Sequence, residues 1–438
     1  MRRKTPTDVD VEITGFATGG MGLSSINDRP LNVRNALPGE RVRARVLRKK
    51  KGVRFAECLK VLDSPHKNRR TPACDYFPRC GGCSLQHIEY THQLSHKEAE
   101  LKHALERMDV FPQRWKEATS VQSYGYRRKA RLGVRVVGGE VLVGFRESFS
   151  SRVARMDDCR TLAPQLACLI RPLKVCLAGL SAPHRIPQLE LAMGDDGCVV
   201  ILRHLDPLTR DDVSLLNRFA SAQQVVLLGQ AGGYETVRPV AGGNEVPLLH
   251  YPLLNGGLTM AFDPREFTQV NAEMNQSLVD NVLEYLEPVA GLRVLDLFCG
   301  IGNFSLPLVQ GGAEVIGVEL AAPAVDRARA NACGNGLDEV EFIAGDLYRE
   351  ADFMAAVGRV DALVLDPPRS GAGPLLRRWL EMLHPTLAQI VYISCNPVSF
   401  AEDAHAIEQA GYRLVEAGAY DMFPQTAHVE TIGYFCRS

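Results

Sequence analysis

Apolar and polar positions change their spacing along the chain. From residue 8 to 62 they alternate in short runs, as in Val9, Val11 and Ile13 or Val42, Ala44 and Val46, cut by Gly-rich and Pro-Gly turns. A period of two with one buried face predicts short strands closing into a small all-β barrel. Beyond it the pattern predicts a helix over about 91–108 and a hairpin over 129–145 turning at Gly138-Gly139. The rest of the middle region carries little periodic signal, and no repeat or low-complexity tract is present. From about Phe262 short apolar runs at 293–298, 314–319, 362–366 and 389–394 alternate with helical stretches. Runs apolar at nearly every position suit strands covered on both faces, so a doubly wound parallel sheet is expected. The chain thus divides into a β-barrel at 1–66, an α+β central unit at 67–261 and a Rossmann-like α/β unit at 262–438.

With 438 residues, 46% of them hydrophobic and 23% charged, the chain can bury substantial cores. No run approaches the roughly 18 apolar residues of a membrane span. Met1-Arg2-Arg3-Lys4 leads to Asp8 and Asp10, not to an apolar signal core. A cytoplasmic protein is expected, and nothing demands more than a monomer. The net charge of -1 hides a basic stretch. Arg41, Arg43, Arg45, Arg48, Lys49, Lys50, Lys51 and Arg54 stand without an acidic residue among them, a phosphate-seeking pattern whose plainer alternative is a solvated strand face.

The loop Cys299-Gly300-Ile301-Gly302-Asn303 follows the apolar strand ending Asp296-Leu297-Phe298. Two glycines let the backbone approach a ligand, but Ser305 stands where a dinucleotide fingerprint wants its third glycine, which disfavours a pyrophosphate. Glu319 closes the next strand, where a carboxylate can accept both ribose hydroxyls, and Asp346 ends a third, placed to meet an adenine amino group. The three features in register point to S-adenosylmethionine; another nucleotide ligand is the alternative.

Ser394-Cys395-Asn396-Pro397 puts a cysteine at the carboxyl end of an apolar strand. A methyltransferase needs a thiolate there when its target is carbon 5 of uracil, a poor nucleophile until something adds to carbon 6. A base must then remove the proton left on carbon 5; Glu430 is the first candidate and His428 the competitor. Alone, such a cysteine reads as a small buried hydrophobe. The Asn396-Pro397 turn and the upstream Asp366-Pro367-Pro368-Arg369 reverse that reading. An enzyme methylating an exocyclic amine would carry an aromatic residue where Arg369 stands.

Twelve cysteines without a secretion signal suggest thiols, metal ligands or catalysts. Cys74, Cys80 and Cys83 cluster as C-x5-C-x2-C, and Cys159 is a fourth candidate, whereas Cys168 and Cys176 read as one helix face. An iron-sulfur cluster, zinc and free thiols all stay open on spacing.

The motif Gly-Phe-Ala-x-Gly-Gly-Met-Gly with Leu37-Pro38-Gly39-Glu40 resembles a TRAM domain, an OB-like RNA-binding barrel. The whole chain resembles the RNA uracil-5-methyltransferase family. The likeness rests on the barrel, Cys-x5-Cys-Gly-Gly-Cys-Ser-Leu-Gln-His, Phe267-x-Gln269-x-Asn271, Asp-Leu-Phe-Cys-Gly-Ile-Gly-Asn-Phe, Asp-Pro-Pro-Arg, Ser-Cys-Asn-Pro and His-Val-Glu, in that order. It implies a [4Fe-4S] cluster on Cys74, Cys80, Cys83 and Cys159. It further implies an S-adenosylmethionine site lined by Gln269, Phe298, Asn303, Glu319, Asp346 and Asp366, with Cys395 as nucleophile and Glu430 as base. Carrying both barrel and cysteine cluster favours the longer type that acts on 23S rRNA. The alternatives are the same chemistry on tRNA and a non-catalytic RNA-binding assembly factor. A radical methyltransferase is disfavoured because the cysteines lack C-x3-C-x2-C spacing.

Overall fold

Four sheets carry the fold of the computed structural model, which describes residues 7–349, 357–383 and 385–438. The amino-terminal Met1-Arg2-Arg3-Lys4 lies outside the described residues. The first sheet holds Thr7–Glu12, Gly15–Ala17, Met21–Ile26, Arg29–Arg34, Arg41–Lys50 and Val53–Val61. Its inward positions Leu31, Val33, Val42, Ala44 and Ala56 are fully buried around Ile13. The expected barrel does not close. Thr7–Glu12 and Gly15–Ala17 stand at opposite ends of the strand order, and the residues between them bond elsewhere, Ile13 N–H to the Glu40 carbonyl (2.9 Å) and Thr14 N–H to that of Leu23 (2.9 Å). A three-residue edge strand offers too few groups for a further ladder.

The basic stretch is also partly neutralised. Antiparallel register sets Arg43 opposite Asp10 and Arg45 opposite Asp8, and both arginines bond their carboxylates through two nitrogens at 2.7–2.9 Å. The period-two alternation that buries Val42 and Ala44 puts these four residues together on the outer face.

The second sheet, in the central region, runs Arg238–Pro239, Val226–Gln230, Cys198–Arg203, Gln188–Met193, Lys129–Val137, Glu140–Gly144. Gly138 (φ 59°) and Gly139 (φ 84°) make its hairpin turn, as the pattern required. Cys168 and Cys176 do not share a helix: Pro164–Ala167 ends before Cys168, which is exposed, and Ile170–Ala178 carries the buried Cys176. A small hairpin, Leu249–Leu253 with Leu258–Phe262, packs on helix Ala322–Gly334.

The largest sheet has eight strands in the order Val340–Ala344, Glu314–Glu319, Arg293–Leu297, Ala362–Leu365, Gln389–Ser394, Glu430–Arg437, Tyr412–Tyr420, Arg114–Thr119. The first five are parallel, and Glu430–Arg437 runs antiparallel to its neighbours. Alternate residues feed two cores: Val294, Val315, Val364 and Val391 face one side, Leu295, Ile316, Leu363 and Ile390 the other. That two-sided burial is why the central positions of these strands are nearly all apolar. Helix Tyr90–Glu106, close to its expected bounds, packs on helix Pro397–Gln409 and strand Tyr412–Tyr420. Among the described residues no helix is long and apolar enough to cross a membrane.

Candidate active site

The carboxyl ends of the parallel strands carry Phe298, Glu319, Asp346, Asp366 and Cys395. Arg293–Leu297 ends in a turn where Phe298 holds φ 67°, Gly300 φ 56° and Gly302 φ 92°. Phe298 N–H bonds the Val318 carbonyl at 2.9 Å, which turns the chain off its strand. A side chain at Gly300 would enter open space, so the turn leaves room beside its backbone. Glu319 accepts from the N–H groups of Gly300 (3.3 Å) and Ala321 (3.0 Å), holding its carboxylate beneath the turn. Asp346 accepts from Tyr348 N–H at 3.0 Å, and Phe298 lies tilted against Tyr348 and Trp379, with centroids 5.9 and 6.4 Å away. Gln269 is half-buried in the loop before Asn271, which caps helix Ala272–Tyr285. Asn303 exchanges two 2.9 Å bonds with Asn275 and accepts from the Tyr251 hydroxyl, so its amide is largely engaged by protein.

Acidic groups crowd this edge. Asp296 is fully buried; Oδ2 accepts from Ser305 at 2.5 Å while Oδ1 has no partner among the described residues. Burial, helped by the nearby Asp366 and Glu319 carboxylates, pushes its pKa up to about 7, and burial does the same to Asp366.

Cys395 and Glu430 meet through topology. The last paired rung between Gln389–Ser394 and Glu430–Arg437 is Ser394 with Thr431, so Cys395 and Glu430 occupy the next facing positions. Because Glu430–Arg437 is antiparallel, its first residue lies at the edge where the parallel strands end. Burial raises the pKa of both groups. The Glu430 carboxylate further raises that of Cys395, while the Arg369 guanidinium lowers both. Arg369 also donates to His428 Nδ1 at 2.6 Å. Desolvation and that cation hold His428 down to about 4. Since arginine only donates, Nδ1 must accept; the neutral ring then carries its proton on Nε2 and has no lone pair free for another. Asn396 fixes the turn, capping helix Pro397–Gln409 through Val398 N–H and donating to the Arg369 carbonyl at 2.9 Å.

Two chains named 23S rRNA (uracil(1939)-C(5))-methyltransferase RlmD align over almost the full length. The one from Alkalilimnicola ehrlichii is 43% identical over 100% of this chain and 98% of its own, and that from Hahella chejuensis 40% identical over 99% and 98%. The chain belongs to the RlmD family. The sequence pattern of the family described as tRNA (Uracil-5-)-methyltransferase also matches residues 258–437. The crystal structure of Pyrococcus abyssi tRNA (uracil-54, C5)-methyltransferase in complex with S-adenosyl-L-homocysteine superposes with a TM-score of 0.73. It is 23% identical and covers 98% of this chain and 100% of that one, a likeness of fold.

Away from the sheet edge, Cys74, Cys80, Cys83 and Cys159 line one small cavity with Gln86, Phe145 and Met156. No group of three or more His, Cys, Asp and Glu side chains is arranged to hold a metal ion among the described residues. The surroundings nonetheless suit thiolates. Gly82 N–H points at the Cys80 sulfur (3.4 Å), Tyr76 and Phe77 N–H at Cys74, and Gln86 at Cys83. Burial pushes Cys80 up to about 11 and Cys83 up to about 12, so unligated thiols there stay protonated.

Sequence reasoning missed the ties behind Glu430. Gln425 (φ 68°) accepts through its carbonyl from Ser84 and Leu85 N–H, both at 3.0 Å, directly after Cys83. Ser84 Oγ takes the Ala427 N–H (3.0 Å), Tyr126 donates to the Pro424 carbonyl (3.0 Å), and buried Lys97 pairs with buried Asp421 at 2.5 Å. These partners lie some 300 residues apart with no shared motif. Only the positive φ at Gln425 hints at constraint, and that too is invisible in sequence. Arg369 was visible, but as evidence against another chemistry.

Proposed function

We propose that the chain methylates carbon 5 of a uridine in 23S rRNA, uracil 1939 by analogy with the named relatives, using Cys395 as nucleophile and Glu430 as base. The facing pair Cys395 and Glu430 at the edge that also carries the glycine turn is the observation that supports it most. S-adenosylmethionine supplies the methyl group when bound. Asp296 Oδ1, without a partner among the described residues, the open space beside Gly300 and the remaining lone pairs of Glu319 and Asp346 fit that cofactor, with Gln269, Phe298, Asn303 and Asp366 as its other neighbours.

The Cys395 thiolate adds to carbon 6, and carbon 5 gains the electron density to take the methyl group. Glu430 then removes the proton from carbon 5, carbon 5 and carbon 6 regain their double bond, and the thiolate leaves. Arg369 favours the anionic forms of both groups and keeps His428 a neutral donor, which argues for Glu430 over His428 as base. The uridine must leave any stack to reach this edge.

Cys74, Cys80, Cys83 and Cys159 hold a [4Fe-4S] cluster in this reading, supported by their shared cavity and the N–H groups aimed at sulfur; its role is structural or RNA-positioning. The six-stranded sheet of residues 7–61 acts as the TRAM-type RNA-binding unit, with the central and methyltransferase units spanning 67–261 and 262–438. The test is mass spectrometry of the protein after incubation with S-adenosylmethionine and 5-fluorouridine-substituted RNA. Fluorine cannot leave as a proton, so a methylated adduct on Cys395 with 23S rRNA fragments is expected. An adduct with tRNA alone overturns the substrate, and no adduct with either overturns the mechanism.

A further inference from the structure

A groove of about 900 Å³ lies between the first sheet and the 147–155 segment, with the loop around Tyr76 to Arg79 as its wall. Five arginines and three carboxylates line it. Arg155 is paired with Glu140 outside the groove, and Arg34 is buried against Glu57 with its guanidinium turned to Phe149 and the Pro78 carbonyl. Arg48 and Arg79 make no ion pair among the described residues.

The groove has features of a built site. A β-bulge at Leu47 shifts the register so that Arg48 faces Phe55 across the strands, where unbroken alternation would have paired them differently. Arg48 is then held over two rings, 5.0 Å from the Phe55 centroid and 4.2 Å from that of Phe149. Stacking leaves the N–H edges of a guanidinium free, which is the form that grips phosphate. Phe149 itself stands at φ 56°, a conformation bulky side chains rarely hold, in a segment whose neighbours Ser148, Ser150 and Ser151 add hydroxyls to the wall. An aromatic face flanked by cations and hydroxyls is the chemistry of single-stranded nucleic acid binding.

We propose that this groove binds a single-stranded stretch of the substrate RNA flanking the target uridine, with phosphates on Arg48 and Arg79 and a base against Phe149. The proposal rests on the RNA methyltransferase reading above. It assigns only part of the basic stretch to RNA, since Arg43 and Arg45 are occupied by aspartates.

The test uses the full chain and a 23S rRNA fragment spanning the target. Phe149→Asn removes the ring while keeping a residue that tolerates positive φ, and should weaken RNA binding about tenfold. Arg48→Gln with Arg79→Gln should flatten the dependence of log Kd on log salt by about 0.7 per phosphate lost. The loss in kcat/KM should fall more on KM for RNA than on turnover at saturating RNA. Unchanged affinity and salt slope in folded variants overturn the proposal. Should the variants fail to fold, photocrosslinking of the parent to 4-thiouridine RNA decides instead: crosslinks within 147–152, within 75–79 or at 47–48 support the groove, and crosslinks confined to segments outside its lining overturn it. Crosslinking needs no methyl transfer, so crosslinks in a chain that leaves the RNA unmethylated would keep the groove and discard the proposed reaction.

Discussion

Lys97→Met tests how the segment leading to Glu430 is held. Lys97 and Asp421 have side chains 1% and 0% exposed, with Nζ 2.5 Å from Oδ1; Nζ also reaches the Phe423 carbonyl at 3.3 Å, and Tyr90 donates to Oδ2 at 2.9 Å. Methionine preserves the length of the side chain and removes its charge, leaving Asp421 buried with one neutral donor. Breaking one side of such a pair costs about 3–5 kcal/mol, because an uncompensated charge remains in a low dielectric. Amide exchange of residues 421–430 should therefore accelerate by about two to four orders of magnitude, at roughly 1.4 kcal/mol per decade. Lys97→Met with Asp421→Asn removes both charges and should recover most of the protection. Protection unchanged in Lys97→Met, or a double variant no better than the single, would refute the reasoning.

The other expectations concern the chemistry. Cys395→Ser should abolish methylation while S-adenosylmethionine binding by calorimetry stays near the parent value; retained turnover removes Cys395 from the mechanism. Glu430→Gln should slow turnover about 10²–10⁴-fold and let a methylated adduct accumulate on natural RNA, seen by mass spectrometry; parent-like turnover places the base elsewhere. Burial raises the pKa of both Cys395 and Glu430, and both act deprotonated, so kcat/KM should climb with pH as their protons are lost. Arg369→Met removes the influence that lowers both and should move that limb to higher pH; a rate that falls as pH rises contradicts the assignment. Cys83→Ser should lose iron by colorimetric assay and also loosen amide exchange at 424–427, because Ser84 and Leu85 clamp Gln425; unchanged exchange separates the cysteine loop from the active-site segment.

Local pattern determined much of this protein. Strands apolar at nearly every position announced a sheet covered on both faces, and the observed Glu314–Glu319 and Gln389–Ser394 match the expected runs, because two-sided burial leaves no polar alternation. Gly300 and Gly302 declared the turn, since positive φ is a backbone need visible in residue type. The role proposed for Cys395 could be framed from sequence because its motif is local.

Other features were settled only in three dimensions. The open edge of the first sheet, the neutralisation of Arg43 and Arg45 by Asp10 and Asp8, and the break between Cys168 and Cys176 depend on register and packing. Arg114–Thr119 joins the largest sheet across some 300 residues of intervening chain. Glu430 meets Cys395 because one antiparallel strand starts where the parallel ones end, and Lys97 meets Asp421 because a helix and a distant loop seal each other from water. Sequence alone specified which residues could do chemistry and which strands would be buried. Tertiary structure decided which charges remained free and which groups faced one another, since both depend on partners that no local pattern names.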